Sequence, residues 1–555
     1  MKLTGAQILI EVLRQQGIDT VFGYPGGTVL NIYDELYKSA DTITHYTTCH
    51  EQGAIHAADG YARASGKVGV VIATSGPGAT NLITGIATAF LDSIPIVAIT
   101  GNVSCEMIGS DSFQEIDIIG ASMSVTKYNY IVKDITNLAE TLTEAFFLAQ
   151  TGRPGPVLVD IPKNIQTALC EYEKIIPKSP KTKAFDDETA LNTAVKMIEE
   201  SHFPFIYVGG GAITSKSSDE IIALAEKLRA PMGATLMGLS AIPRNHDFFL
   251  GMTGMHGTYE ASRAMWESDL IIAVGTRFSD RSTGDKKEFS KNKKIIHIDI
   301  DQVEINKNIP CDLFLIGDMK DILKKLLNLI HSKKINNLNN QFKKIKSFET
   351  VSYLKLDDEK LTPKKVIETF GNAADDDCIV VTDVGQHQMW TAQYYPFSAP
   401  RTFISSGGLG TMGFGMGAAI GACIGKYLKR TILFTSDGSF HMNLNELATA
   451  VSNDLPLIIV VLNNNALGMV RQWQTLFFDK RYSNTELNRK TNFAALANSF
   501  GAQGLHVENY TSLKNAVDFA FKQKNPVLID VFIDKEEKVL PMIPPGGTIN
   551  DAILN

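Results

Sequence analysis

The chain has 555 residues, 44% hydrophobic and 20% charged, with a formal net charge of −7 and a pI near 5.9. At roughly 150 residues per domain this is a globular protein of three or four domains, and the absence of any basic stripe argues against a nucleic-acid partner. Cys49, Cys105, Cys170, Cys311, Cys378 and Cys423 lie far apart with no CxxC pair, which points to reduced thiols in a cytoplasmic setting rather than a disulfide framework or a zinc site.

The chain opens with "MKLTGAQILIEVLRQQGID", where Glu11 and Arg14 interrupt the apolar residues, so no signal peptide is expected. Thr4 and Gln7 have the spacing of a capping box that starts an amphipathic helix. No apolar run reaches the roughly 20 residues of a membrane span, so no membrane partner is expected. The first block runs to residue 168, with strands expected at 68–74, 94–100 and 155–161. A polar, Pro-containing stretch at 171–189 reads as a linker. The second block, 190–330, has expected strands at 204–210, 270–276 and 293–301. A Lys- and Asn-rich stretch at 331–350 reads as a surface helix plus linker. The third block, 362–555, has expected strands at 378–385, 431–436, 455–464 and 526–532. The strands are Val- and Ile-rich without polar alternation, as in parallel sheets buried on both faces. The expected fold is α/β, with three doubly wound parallel-sheet domains, of which the first and third look alike.

Two apolar runs of the third block end in oxygen-bearing residues, Asp437-Gly438 and Asn463-Asn464. Ligands of open α/β sheets bind beyond the carboxyl ends of the strands, and the 27 residues from Asp437 to Asn464 accommodate one βαβ unit. Asn443 and Glu446 have the spacing of an N-cap and its partner for the intervening helix. A carboxylate beside an amide oxygen suits Mg²⁺, and Gly438 permits close approach of a diphosphate. Taken singly, each pair is an ordinary turn.

This Asp-Gly/Asn-Asn arrangement resembles the metal–diphosphate motif of thiamine diphosphate enzymes, except that Ser436 stands where that family usually has Gly. The resemblance implies that Asp437, Asn464 and the backbone oxygen of Ala466 bind Mg²⁺, with Gly438 and Ser439 beside the cofactor. "HEQGAIHAADGYAR" (50–63) is similar to the family's activating segment, which implies that Glu51 hydrogen-bonds the aminopyrimidine ring and shifts its tautomer. Without the resemblance, an acid in a first helical turn merely complements the helix dipole. "SSGGLGTMGFGMG" (405–417) contains GxGxxG but makes a poor dinucleotide fingerprint, since no clear strand precedes it. By resemblance Gly410 and Met412 support the cofactor in its bent form, and Gln386 and His387 contact the diphosphate.

Five further segments, "GYPGG", "TSGPGATN", "DSFQEID", "GRPGPVLVDIPK" and "GMVRQWQ", occur in the order seen in the large catalytic subunits of biosynthetic acetolactate synthases, which nearly the whole chain resembles. The implied reaction decarboxylates pyruvate and ligates the two-carbon unit to a second pyruvate or to 2-ketobutyrate. Gly27, Gln114 and Lys163 would serve the reaction centre and its entrance, together with Phe113. Met469 and Trp473 would form the second-substrate pocket, and Arg281 would hold the carboxylate. "GTRFSDRSTG" (275–284) resembles a flavin-binding segment, with Ser279 in place of the usual acid. FAD is therefore expected at Arg153, Gly210, Arg277, Asp280, Asp299 and Asp318. The resemblance also implies a homodimer or larger homo-oligomer, with the cofactor between two chains, and a separate small regulatory subunit. The competing readings are a flavin-dependent pyruvate oxidase and a non-catalytic cofactor-binding paralogue, the latter supported only by Ser436, Ser279 and His441.

Overall fold

Val- and Ile-rich runs that have no polar face must be covered on both sides, and here they form the centres of three six-stranded parallel sheets. The computed structural model describes residues 1–178, 180, 184–331, 342, 345 and 361–554. In chain order the first sheet contains Thr20–Tyr24, Thr44–Thr47, Gly69–Ala73, Ile96–Asn102, Tyr128–Ile131 and Pro156–Pro162, arranged 2-1-3-4-6-5. The third contains Ile379–Thr382, Phe403–Ile404, Thr431–Ser436, Leu457–Asn463, Gln503–Val507 and Val527–Phe532 in the same 2-1-3-4-6-5 order. The middle sheet differs. Pro204–Val208, Met232–Ala234, Phe249–Met252, Leu270–Val274, Lys294–Asp299 and Leu313–Ile316 run 3-2-1-4-5-6, the order of the dinucleotide-binding doubly wound fold.

All ten strands expected from the sequence are present. The eight other strands of the three six-stranded sheets include all six edges of those sheets; Thr44–Thr47 and Tyr128–Ile131 are partly exposed and lack the continuous apolar signature. The capping box at Thr4 and Gln7 forms and opens the helix Gly5–Gln15. Lys2–Thr4 pairs antiparallel with Leu169–Glu171, so the chain returns to its start where the first block ends. Residues 179 and 181–183 of the first polar stretch lie outside the described residues, as does nearly all of 332–350. Phe185 is buried in the middle domain's core, and Ile345 and Phe342 pack on that domain's other face.

The first and third domains meet along two helices, Glu51–Ser65 and Phe414–Gly425, both almost wholly buried. The helices approach so closely that a Cβ at Gly60 would overlap the backbone of Ala418, and one at Gly421 that of Ala57. This seam overturns one expectation. Asn443 and Glu446 do not cap a single helix. The segment forms two, Asp437–Asn443 and Glu446–Ser452, and the cap position of the second is Asn445, whose side chain makes no capping bond. The Asn443 amide donates to the Gly413 carbonyl at 3.1 Å. Glu446 instead accepts from the Cys49 and His50 amides of the first domain, two N–H groups just outside a helix start that have no partner within the helix.

Candidate active site

Thr431–Ser436 lies directly beside Leu457–Asn463, with Ser436 opposite Leu462, so Asp437 and Asn464 emerge together at adjacent carboxyl ends. The two asparagines do different jobs. Asn463 donates sideways to Asp530 Oδ1 at 2.9 Å. Asn464 Nδ2 donates to the Gln386 side-chain oxygen Oε1 at 3.4 Å, and Asn464 Oδ1 accepts the Ala466 amide at 3.2 Å.

Asp437 is 4% exposed, yet its Oδ1 has no hydrogen-bond partner among the described residues. Burial pushes its carboxyl up to about 6, against the pull of the Gly438 and Asn464 amides. An unpartnered buried carboxylate oxygen is costly unless a cation meets it. The neighbouring donors, the Asn464 amide oxygen and the buried Ala466 carbonyl, are also hard oxygens, so the residues present fit Mg²⁺. At Gly438 a Cβ would come within 2.9 Å of Leu467 and 3.9 Å of the Met412 methyl, so glycine leaves the space that close approach of an anion needs. Ser436, the departure from the family pattern, turns its hydroxyl onto the Ser439 amide at 3.3 Å as a helix N-cap. The Ser439 hydroxyl donates to the Val384 carbonyl at 2.8 Å. His441 bonds the Asp437 carbonyl and, at 2.9 Å, the Thr491 hydroxyl. Gln386 is fixed by Gln472 and by the Glu537 carbonyl. His387 is buried with Nε2 unpartnered, and burial holds it neutral, down at about 3. Gly410 adopts φ +71°, in the left-handed region.

Beyond the middle sheet's switch point, a cavity of about 1580 Å³ opens between the three domains. It is lined by Gly210, Arg277, Asp299 and Asp318 from the middle domain, by Arg153 from the first and by Gly410 from the third. A Cβ at Gly209 or Gly211 would strike the backbone of Gly275, so the first turn of this domain is held tight against the fourth strand. Burial raises Asp299 to about 6. Asp318 caps the helix Met319–Leu329. Arg153 pairs with Glu304 at 2.7 Å, and Arg277 donates to the Leu91 carbonyl. Asp280 and Arg281 lie at the rim, mostly exposed, and the Arg281 guanidinium sits 5.8 Å from the Trp473 ring centre. Met469 and Trp473 line the same cavity, which therefore joins the dinucleotide-type crevice to the proposed second-substrate pocket.

Glu51, Gly27, Phe113, Gln114 and Lys163 do not line this cavity. Glu51 opens its helix, and its Oε2 accepts from the Asn81 amide at 2.9 Å. Gln114, at φ +62°, packs its backbone against Gly76. Gly27 and Lys163 are exposed, and Phe113 is 87% exposed. Gly27, Phe113 and Lys163 thus lie on an exposed face of the first domain, with Glu51 and Gln114 half-buried, and neither this set nor Asp437, Asn464 and Ala466 lines the cavity.

One supporting residue, Asp92, escaped the sequence reading, and another, Glu446, was read only as a local cap partner. Asp92 accepts the Gly407 and Gly408 amides at 3.1 and 2.7 Å and pairs with Arg63 at 2.9 Å, anchoring the glycine loop. Glu446 bonds the turn before Glu51. Local spacing marked only parts of these networks: Asp59 and Arg63, four apart on one helix, and Glu446 and Thr449, three apart on another.

Three family models match in order: the thiamine pyrophosphate enzyme N-terminal TPP binding domain over residues 3–121, the central domain over 191–326, and the C-terminal TPP binding domain over 383–531. The acetolactate synthase large subunit of Haemophilus influenzae is 42% identical, covering 100% of this chain and 98% of that protein. The acetolactate synthase isozyme 3 large subunit of Escherichia coli K12 is 41% identical over 100% and 99% of the two chains. A probable acetolactate synthase large subunit of Methanocaldococcus jannaschii is 42% identical over 99% and 95%. Among the described residues no helix is long and apolar enough to cross a membrane. With matched domains in this order and relatives aligned from end to end, the chain belongs to the thiamine diphosphate enzymes and, within them, to the acetolactate synthase large-subunit family.

Proposed function

We propose that the chain is the catalytic subunit of an acetolactate synthase. It decarboxylates pyruvate and joins the two-carbon unit to a second pyruvate or to 2-ketobutyrate, for branched-chain amino acid synthesis in the cytoplasm. The observation that carries this reading is the buried, half-unpartnered Asp437 beside Asn464 at adjacent strand ends. Asp437, Asn464 and Ala466 hold Mg²⁺. Gly438, Ser439, Gln386 and His387 receive the diphosphate, and Gly410 and Met412 support the rest of the cofactor. Bound thiamine diphosphate supplies the electron sink for decarboxylation and two-carbon transfer.

The protein's own groups do the remaining work. Glu51, steadied by Asn81, holds a proton at the pyrimidine ring nitrogen. Gln114, Gly27, Lys163 and Phe113 shape the approach of pyruvate. Arg281 binds the carboxylate of the second 2-keto acid by a planar two-pronged contact, and Trp473 and Met469 size the pocket for its alkyl end. FAD occupies the crevice beyond the middle sheet's switch point, at Arg153, Gly210, Arg277, Asp280, Asp299 and Asp318. A homodimer completes each site, and a small regulatory subunit joins it, in keeping with the "large subunit" in the relatives' names.

The test is product analysis on pyruvate alone, with thiamine diphosphate, Mg²⁺ and FAD added. Acetolactate with released CO₂ and no consumption of an electron acceptor is expected. Acetate or acetyl phosphate formed at the expense of an acceptor would overturn the assignment in favour of an oxidase.

A further inference from the structure

The helix that bears Glu51 is anchored from another domain. Its N-cap, His50, is extended (φ −153°, ψ 146°), and His50 Nδ1 accepts the Gln52 amide at 3.0 Å. The amides of Cys49 and His50 lie just outside the helix and have no helical partner. Both point at Glu446, which is 0% exposed. Glu446 Oε1 accepts from His50 N at 3.0 Å and from Cys49 N at 3.2 Å, and Oε2 accepts from Cys49 N at 3.1 Å. The Thr449 hydroxyl donates to Oε2 at 2.6 Å, orienting the carboxylate from behind. A Cβ at Gly53 would overlap this carboxylate, so the helix's first turn leaves room for it. Glu446 lies nine residues after Asp437 in the same domain. One side chain therefore joins the segment after the proposed metal ligand to the turn from which the proposed activating acid projects.

We infer that Glu446 is a positioning residue for Glu51: it fixes the Cys49–His50 backbone, while Asn81 fixes the Glu51 carboxylate. This rests on the reading of Glu51 as the thiamine-activating acid. A buried carboxylate that accepts two backbone N–H groups gives a stiff joint, and a displacement of about 1 Å at a reacting group costs on the order of a hundredfold in rate.

The experiment compares Glu446→Ala, Glu446→Asp, Glu446→Gln and Glu51→Gln in the full-length protein. Two quantities are read: amide hydrogen exchange of residues 48–54 without cofactor, and deuterium exchange at C2 of bound thiamine diphosphate. Glu446→Ala loses the acceptor, and Glu446→Asp keeps the charge but falls one methylene short. Both should speed amide exchange in 48–54 and slow C2 exchange on the order of a hundredfold, with the KM for pyruvate little changed. Glu446→Gln keeps one oxygen, which can serve both amides, as Oε1 does now, and should restore both readouts. The inference is overturned if either short variant folds and keeps normal C2 exchange, or if Glu446→Gln fails as badly as Glu446→Asp. Should Glu446→Ala not fold, the Asp and Gln pair still decides. If Glu51→Gln itself keeps normal C2 exchange, the reading of Glu51 fails, and not merely that of Glu446.

Discussion

The first and third domains are built alike and end differently. Both sheets run 2-1-3-4-6-5, and both contain a buried aspartate on the sixth strand tied to an asparagine on the fourth: Asp160 to Asn102 at 2.6 Å, and Asp530 to Asn463 at 2.9 Å. The third strand of each leads into a Thr-Ser pair, Thr74-Ser75 and Thr435-Ser436. The next residue separates them. In the first domain it is Gly76, at φ +59° and packed on Gln114. In the third it is Asp437, with its unpartnered buried oxygen. One scaffold thus offers a cation-seeking carboxylate at one end and an open face at the other, where Glu51 comes from the start of a neighbouring helix. The chemistry differs because of what stands at the strand ends, while the sheets beneath remain the same.

Four predictions press on that contrast. Glu51→Gln removes the proton-holding group and should lower turnover on the order of a thousandfold, with the thermal midpoint unchanged, as steady-state assays and calorimetry would show. Asp160 is fully buried, and desolvation raises its carboxyl to about 7, well above its value of 3.8 when exposed. The folded state therefore binds the proton more tightly, and stability should rise as pH falls from about 7 toward 4, by up to about 4 kcal/mol. Asp160→Asn should flatten that slope in denaturant titrations. Asp530, raised by burial but eased by Asn463 and His506, should contribute less. Asp437→Ala should weaken thiamine diphosphate and Mg²⁺ binding about a hundredfold, or close to 3 kcal/mol by calorimetry, and leave the fold intact. Smallest, Trp473→Ala should change the preference between pyruvate and 2-ketobutyrate as second substrate about tenfold, measured by direct competition.

What the sequence revealed depended on how local each constraint was. Central strands such as 457–463 were legible because burial on both faces leaves an unbroken apolar run, whereas edge strands such as Thr44–Thr47 carry no such mark. Asp437 and Asn464 were legible because one βαβ unit brings them together. The separate role of Asn463 was hidden, since its partner Asp530 lies 67 residues away. Glu446 was misjudged as a local capping partner because its true partners, 397 and 396 residues distant, meet it only across the domain seam. Ser436 stood out as a departure, and its hydroxyl proves to be a helix cap on Ser439.

The central claim is that the Glu51 half of one chain completes the Asp437 half of another. Mixing the two inactive variants, Glu51→Gln and Asp437→Ala, under conditions that exchange subunits tests it most directly. With sites shared between chains, half of a statistical mixture is mixed dimer, and each mixed dimer has one intact site, so about a quarter of unsubstituted activity should return. No recovery, despite subunit exchange demonstrated by mass, would contradict the account and place each site within a single chain.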